Sequence, residues 1–206
     1  MPVLTRGAAR RLEGRADENI GVLALREAVT SKAGVVWSRR GDVDVYCGTR
    51  RGATQQPQVD HCLEVQLVEA ALVRTFGADR RTSTQSMATA QASELIRDAL
   101  NGLDNLNVTS AKINTGKRGP FTAALNRLQN DRLRGVTIEQ LARQGRGQWM
   151  VDDGTWARIE VAVVASYDAL CDELVGDGVD ALPPAARLVA GTVEELESML
   201  SRLGLG

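Results

Sequence analysis

The chain carries a single histidine, His61, and it follows an aspartate in Gln58-Val59-Asp60-His61. Downstream, Asn105-Leu106 opens a stretch that reaches Asn114 nine residues after Asn105, and Lys117 three residues after that. An imidazole that titrates near neutrality is suited to take a proton from water. A carboxylate beside it is a hard oxygen ligand for Mg²⁺ or a similar ion, and an amide carbonyl can serve the same ion. One carboxylate and one amide leave most coordination positions to water and phosphate, as is common for Mg²⁺ in phosphate chemistry. The chemistry open to such a set is phosphodiester hydrolysis. It needs an activated water, positive charge at the nonbridging oxygens and help for the leaving oxygen.

Together the two stretches resemble the halves of an HNH (ββα-metal) nuclease motif. That family's first half is Asp-His. Its second half opens with Asn-Leu and, nine residues after the Asn, reaches a His or Asn that is followed three residues later by Lys. The resemblance covers about residues 35–130. Residue by residue, it implies His61 as general base, Asp60 and Asn114 as metal ligands, and Asn105 as the residue that braces the loop or orients the base. It also implies Lys117 as a phosphate contact, with Arg118 beside it as a second cation. Glu64 lies four residues after Asp60, so a helix starting at Asp60 would turn both carboxylates one way and make Glu64 an additional ligand.

The chain departs from the common pattern in four places. The gap from His61 to Asn105 is 44 residues, so a helical insertion must fold away from the site. Ser110 and Ile113 stand where many members carry zinc-binding cysteines, so no structural zinc is expected. The last motif position is Asn114 rather than His. Residues directly after His61 read as helical, where many members continue an extended loop. A lone His is most often a capping or core residue; the Asn105, Asn114 and Lys117 spacing, met at three places together, argues for the site.

Charge is distributed unevenly. Residues 1–51 carry net +4, residues 52–150 net +3 and residues 151–206 net −8. The stretch bearing the motif is basic enough to approach a polyanion. The acidic end reads as solvated helix faces, or else as a shield or partner-binding tail. No apolar run approaches a transmembrane helix, and Met1-Pro2-Val3-Leu4-Thr5-Arg6 has no apolar core of a signal peptide. Cys47, Cys62 and Cys171 form no CxxC pair, which points to a reducing compartment and a cytoplasmic protein.

The elements that must position these residues follow from patterning. Residues 7–31 predict a helix. Gly34–Ser38 and Val43–Cys47, around Gly41-Asp42, predict a β-hairpin. Residues 48–58 predict a loop, 62–74 a helix, 78–86 a loop and 87–100 a helix ended by Asn101-Gly102 in a left-handed conformation. The chain then begins extended from Asn105. Pro120 fits the first turn of a helix reaching about Arg134. Thr137 is the expected N-cap of a short structural helix. Residues 155–175 predict a long helix, Asp177-Gly178 and Pro183-Pro184 breaks, and Thr192 the start of a last helix.

The expected fold is therefore α+β and mostly helical. A small hairpin and a ββα-metal-like core carry a helical insertion, followed by C-terminal helices. A basic domain over 1–150 is followed by an acidic helical extension over 151–206, packed on it. The resemblance implies a metal-dependent endonuclease acting on nucleic acid, DNA in preference, with one Mg²⁺ or Mn²⁺ and no other cofactor. An inhibitor or partner protein is compatible with this reading. A reading from a different class stays open: a non-catalytic helical module that docks nucleic acid or a protein through its basic N-terminal two-thirds.

Overall fold

The computed structural model describes residues 25–77, 83–129, 135–144, 151–175 and 183–205. The fold is α+β and mostly helical, with one small antiparallel sheet. Its elements are α1 (Ala33–Arg39), β1 (Pro57–His61), α2 (Val65–Gly77), α3 (Ser83–Leu100) and β2 (Leu106–Ser110). Then come α4 (Ala111–Gln129), α5 (Ile138–Gln144), α6 (Asp153–Val175) and α7 (Pro183–Arg202).

β1 and β2 pair antiparallel with Val59 opposite Val108, Asp60 opposite Asn107 and His61 opposite Leu106. Side chains alternate between faces with a period of two. Val59, Leu106 and Val108 therefore share one face, where they join Val29, Val36 and Trp37 in a small core. Asp60, Asn107 and Thr109 share the other face, which is polar and covered by residues 43–49. β2 runs directly into α4. Ser110 Oγ accepts from Ile113 N, which starts the helix one residue after the strand ends.

The hairpin expected over residues 34–47 does not form. Residues 33–39 are helical, and Val43 makes only an isolated bridge with Arg50. Val29, Ala33, Val36 and Trp37 fall at helical spacing, and burying that stripe on the sheet overrides the β-propensity of Val35 and Val36. Gly41 and Asp42 both take positive φ, and Asp42 N returns to Trp37 O to close the helix end.

The helix expected over 7–31 lies mostly outside the described residues, and 25–29 are not helical. Residues 78–82 of the expected 78–86 loop are likewise outside them, but α3 already begins at Ser83. The Asp177-Gly178 break and the expected end near Arg134 also fall outside them. α3 does end at Leu100, yet Gly102 has φ −64° and Asn101 is not left-handed either. Pro120 does not start a helix. It is the tenth residue of α4 and buried there, where its ring withholds one i→i−4 hydrogen bond. Thr137 is the cap expected: Gln140 N donates to Thr137 Oγ1 and Thr137 N to Gln140 Oε1, a reciprocal pair.

The last helix starts nine residues earlier than expected, at Pro183, where the fixed φ of Pro suits a first turn. Thr192 lies inside it and hydrogen-bonds Leu188 O. α7 packs on α2 and α3. Val189, Leu196, Met199 and Leu200 share one core with Leu67, Leu72, Ile96 and Leu100. Its acids Glu194 and Glu197 are exposed, and Glu195 pairs with Arg74 of α2. No helix among the described residues is long and apolar enough to cross a membrane.

Where α2 and α7 cross, Thr75 Oγ1 donates to Gly191 O, and a Cβ on Gly191 would lie 3.1 Å from Thr75 Cγ2. Replacing a mid-helix Gly by Ala normally gains about 0.5–1 kcal/mol. Here the close approach opposes that gain. Gly191→Ala is expected to bring no stability in the native background and to become favourable with Thr75→Ser, which removes only the methyl. Chemical denaturation of the two single variants and the double variant should show coupling on the order of 0.5–1 kcal/mol. Truncation at residue 182 strips the shared core of α7's side chains, so the remainder should lose its cooperative thermal transition.

Candidate active site

β1 delivers Asp60 and His61 at its C-terminal end, and the next residues turn into α2. Val59, Asp60, His61 and Glu64 line a cleft of about 160 Å³ together with Asn114 and Arg118 of α4 and residues 26–30. Asp60, His61, Glu64, Asn114 and Arg118, all expected from the sequence as site residues, thus meet in one concavity. Asn114 lies in the first turn of α4, and Lys117 and Arg118 follow at i+3 and i+4 on the same side of the helix.

His61 is 97% buried, and its Nε2 lies 2.9 Å from Asn101 Oδ1. The Asn101 amide nitrogen donates to Leu25 O and Arg97 O, each at 2.7 Å. Both amide hydrogens are therefore used, and Oδ1 can only accept. His61 must carry its proton on Nε2, which leaves the Nδ1 lone pair free to act as a base. Burial lowers the His61 pKa; the Asn101 bond opposes that shift and the nearby Arg26 charge adds to it. The ring is consequently neutral at neutral pH. Asn101 carried no site signal in the sequence beyond ending a helix.

Asp60 Oδ2 accepts from Tyr46 Oη at 2.9 Å and from Lys117 Nζ at 2.8 Å. Its Oδ1 has no hydrogen-bond partner among the described residues. Burial, and then the Asp60 charge, raise the Tyr46 pKa well above the ordinary value, so the phenol remains a donor. Lys117 Nζ also lies 2.9 Å from Glu64 Oε1 and donates to His61 O. The rings of Tyr46 and Phe121 stand 5.5 and 5.6 Å from it. Burial alone would lower the Lys117 pKa, but Asp60 and Glu64 overcome this and raise it. Lys117 was expected to touch phosphate. Its side chain is fully buried instead, with its charge committed to two internal carboxylates. The reason is positional: one turn into α4, the lysine faces the β1–α2 junction rather than the cleft mouth.

Asn105 stands outside the cleft. Its Oδ1 accepts from Leu63 N at 2.7 Å, and its Nδ2 donates to Leu100 O and Leu63 O. The same residue's carbonyl accepts from Cys62 N. The turn between β1 and α2, which carries Glu64, is thereby tied to the end of α3. Behind the sheet, Asp44 is fully buried and accepts from Asn107 Nδ2, Thr109 Oγ1 and Tyr46 N. That network holds the loop bearing Tyr46, and Arg158 of α6 secures it further by donating to Tyr46 O.

A divalent cation fits this set in a limited way. Asp60 and Asn114 both line the cleft and both carry hard oxygen donors, and Asn114 Nδ2 donates to Gln58 Oε1 at 2.9 Å. Among the described residues, no group of three or more His, Cys, Asp or Glu side chains is arranged to hold a metal. A largely hydrated Mg²⁺ needs only one or two protein oxygens, so the donors suffice for that ion and not for a fully protein-ligated one. No protein-family model, curated protein or solved structure matches the chain significantly.

Asn101→Ala tests the tautomer assignment. Native His61 should give the ¹⁵N shifts of an Nε2-protonated neutral ring and titrate below 6.5. The variant should show both tautomers and lose about 1–3 kcal/mol, because Leu25 O and Arg97 O lose a buried donor. A single unchanged tautomer in the variant would refute the role of Asn101. The lowered pKa also has a stability consequence. The neutral ring's contribution is complete above pH 6.5 and is lost as pH falls through the folded-state value.

Proposed function

We propose that the chain is a metal-dependent endonuclease that hydrolyses phosphodiester bonds in nucleic acid, with DNA the favoured substrate, and that it is a divergent HNH-type enzyme. The observation that supports this best is a juxtaposition. Asp60 and His61 at the end of β1, and Asn114 in the first turn after β2, line one cleft although Asn114 lies 53 positions after His61. Two antiparallel strands followed directly by a helix, with α2 and α3 inserted between the strands, is the layout a ββα-metal site needs.

In this reading His61 Nδ1 takes a proton from the attacking water, and Asn101 supports the imidazolium by accepting from Nε2–H. Asp60 and Asn114 would hold one largely hydrated Mg²⁺ or Mn²⁺, and that ion would supply Lewis-acid stabilisation of charge on the phosphate and leaving oxygens. Glu64 adds a carboxylate at the same cleft, and Asn105 keeps the turn bearing it in place. Arg118 meets the phosphate, with Arg26 on the facing segment as a second cation. Lys117 is left out of that contact because its charge is internal. No structural zinc enters the scheme. A cytoplasmic location and an inhibitory partner protein fit the reading.

A non-catalytic module that docks nucleic acid or a protein through its basic face is favoured by one observation: the Lys117 ammonium already sits on Asp60. Cleavage assays on plasmid DNA and total RNA with Mg²⁺, Mn²⁺ or chelator separate the two readings. The nuclease should cut only with metal, and His61→Ala should lower the rate by ~10²–10⁴ while leaving the circular-dichroism spectrum unchanged. Equal cleavage by His61→Ala, or none by the native protein under any metal, removes the enzymatic reading.

A further inference from the structure

Two of the acids that line the cleft, Asp60 and Glu64, are already paired with a buried cation. Lys117 Nζ lies between Asp60 Oδ2 and Glu64 Oε1, at 2.8 and 2.9 Å, and has no exposure to solvent. A surface lysine pairs and unpairs with little energetic consequence. This one cannot, because it has no route to water, and two aromatic rings flank it. The acids come from the β1–α2 junction and the ammonium from α4, so the interaction also clamps two segments more than fifty residues apart in sequence.

We propose that Lys117 is a built-in counter-ion of the cation site: a positioning residue that holds Asp60 and Glu64 side by side without a divalent ion, and whose charge weakens the binding of that ion. The inference rests on the metal-dependent reading of the same cleft. Two carboxylates and one ammonium leave this group at net −1. A divalent cation approaching the free Asp60 oxygen meets attraction from both acids and repulsion from the lysine. At a few ångströms such charge–charge interactions stay strong even where the effective dielectric is about 20, so a single change of charge alters affinity by about tenfold or more. Merely structural packing of the lysine would have no such ion-specific consequence.

The test measures Mn²⁺ binding, by water-proton relaxation, and thermal unfolding with and without Mn²⁺. Lys117→Met keeps an unbranched side chain only one atom shorter and removes the charge. It should unfold at lower temperature without metal and bind Mn²⁺ at least about tenfold more tightly than the native protein. Mn²⁺ in about hundredfold excess over its dissociation constant should raise its melting temperature by roughly 5–10 °C. Lys117→Arg, which keeps the charge, should not acquire this Mn²⁺-dependent gain. Glu64→Gln leaves one acid paired with Lys117 and should weaken Mn²⁺ binding about tenfold.

A Lys117→Met protein whose lost stability is untouched by Mn²⁺ overturns the proposal. So does an unchanged Mn²⁺ affinity in Glu64→Gln, whatever the lysine variant does. The two readings fail separately. Native cleavage with Mg²⁺ alongside a Mn²⁺-insensitive Lys117→Met leaves the nuclease and removes the counter-ion. Absent native cleavage with a Mn²⁺-restored Lys117→Met does the reverse.

Discussion

Everything around the cleft depends on a buried ammonium. Lys117 joins α4 to the end of β1 and to the start of the insertion, through contacts to Asp60, Glu64 and the His61 carbonyl. Taking a lysine and two carboxylates out of water is expensive, and only close mutual contact offsets it. The arrangement is therefore not a route to maximum stability; a set of apolar side chains could fill the same space at less cost. What it supplies is definition. Two acids that would repel each other are held at one place, in residues that both line the cleft.

The neighbouring polar positions solve a related problem without charge. Asn101, Asn105 and Asn107 each use both ends of an amide, one end accepting and the other donating. Each thereby ties together segments that are remote in sequence: Asn101 joins His61 to Leu25, Asn105 joins Leu63 to Leu100, and Asn107 joins β2 to residues Asp44 and Val45. A buried amide with all its bonds made has one orientation, because a flip would oppose like groups. The rigidity passes to the chemistry. Asn101 sets the His61 tautomer, and a base must present a lone pair, not a proton, to water. α7, which carries part of the acidic end, belongs to this support because it packs beneath α2 and α3.

Long amphipathic segments were legible before any coordinates. α2, α3 and α6 follow from apolar spacing, and the α5 cap from Thr137 and Gln140, because those signals are local. The failures were equally physical. Val35, Val36 and Trp37 have strand propensity but form a helix, since the stripe from Val29 to Trp37 finds the sheet to cover. Thr192 reads as the start of the last helix, yet it and Gly191 lie inside α7, which begins at Pro183, and Gly191 sits where Thr75 approaches closely. Pro120 looks like a helix start, but Ser110 starts that helix at the end of β2.

For the site, the sequence by itself determined which chemical groups exist: one imidazole, the carboxylate beside it, and an amide and cations at helical spacing. Those are covalent facts, and they restrict the chemistry whatever the fold. Tertiary structure decided where each charge points. It turned Lys117 inward, because one turn into α4 faces the β1–α2 junction, and left Arg118 at the cleft. It brought in Arg26, Tyr46 and Asn101, none of which is near His61 in the chain. Spacing along a helix or strand is set by local geometry and can be read in advance. Which face is buried, and which acid a buried lysine must meet, is set by the desolvation of groups that only the folded chain brings together.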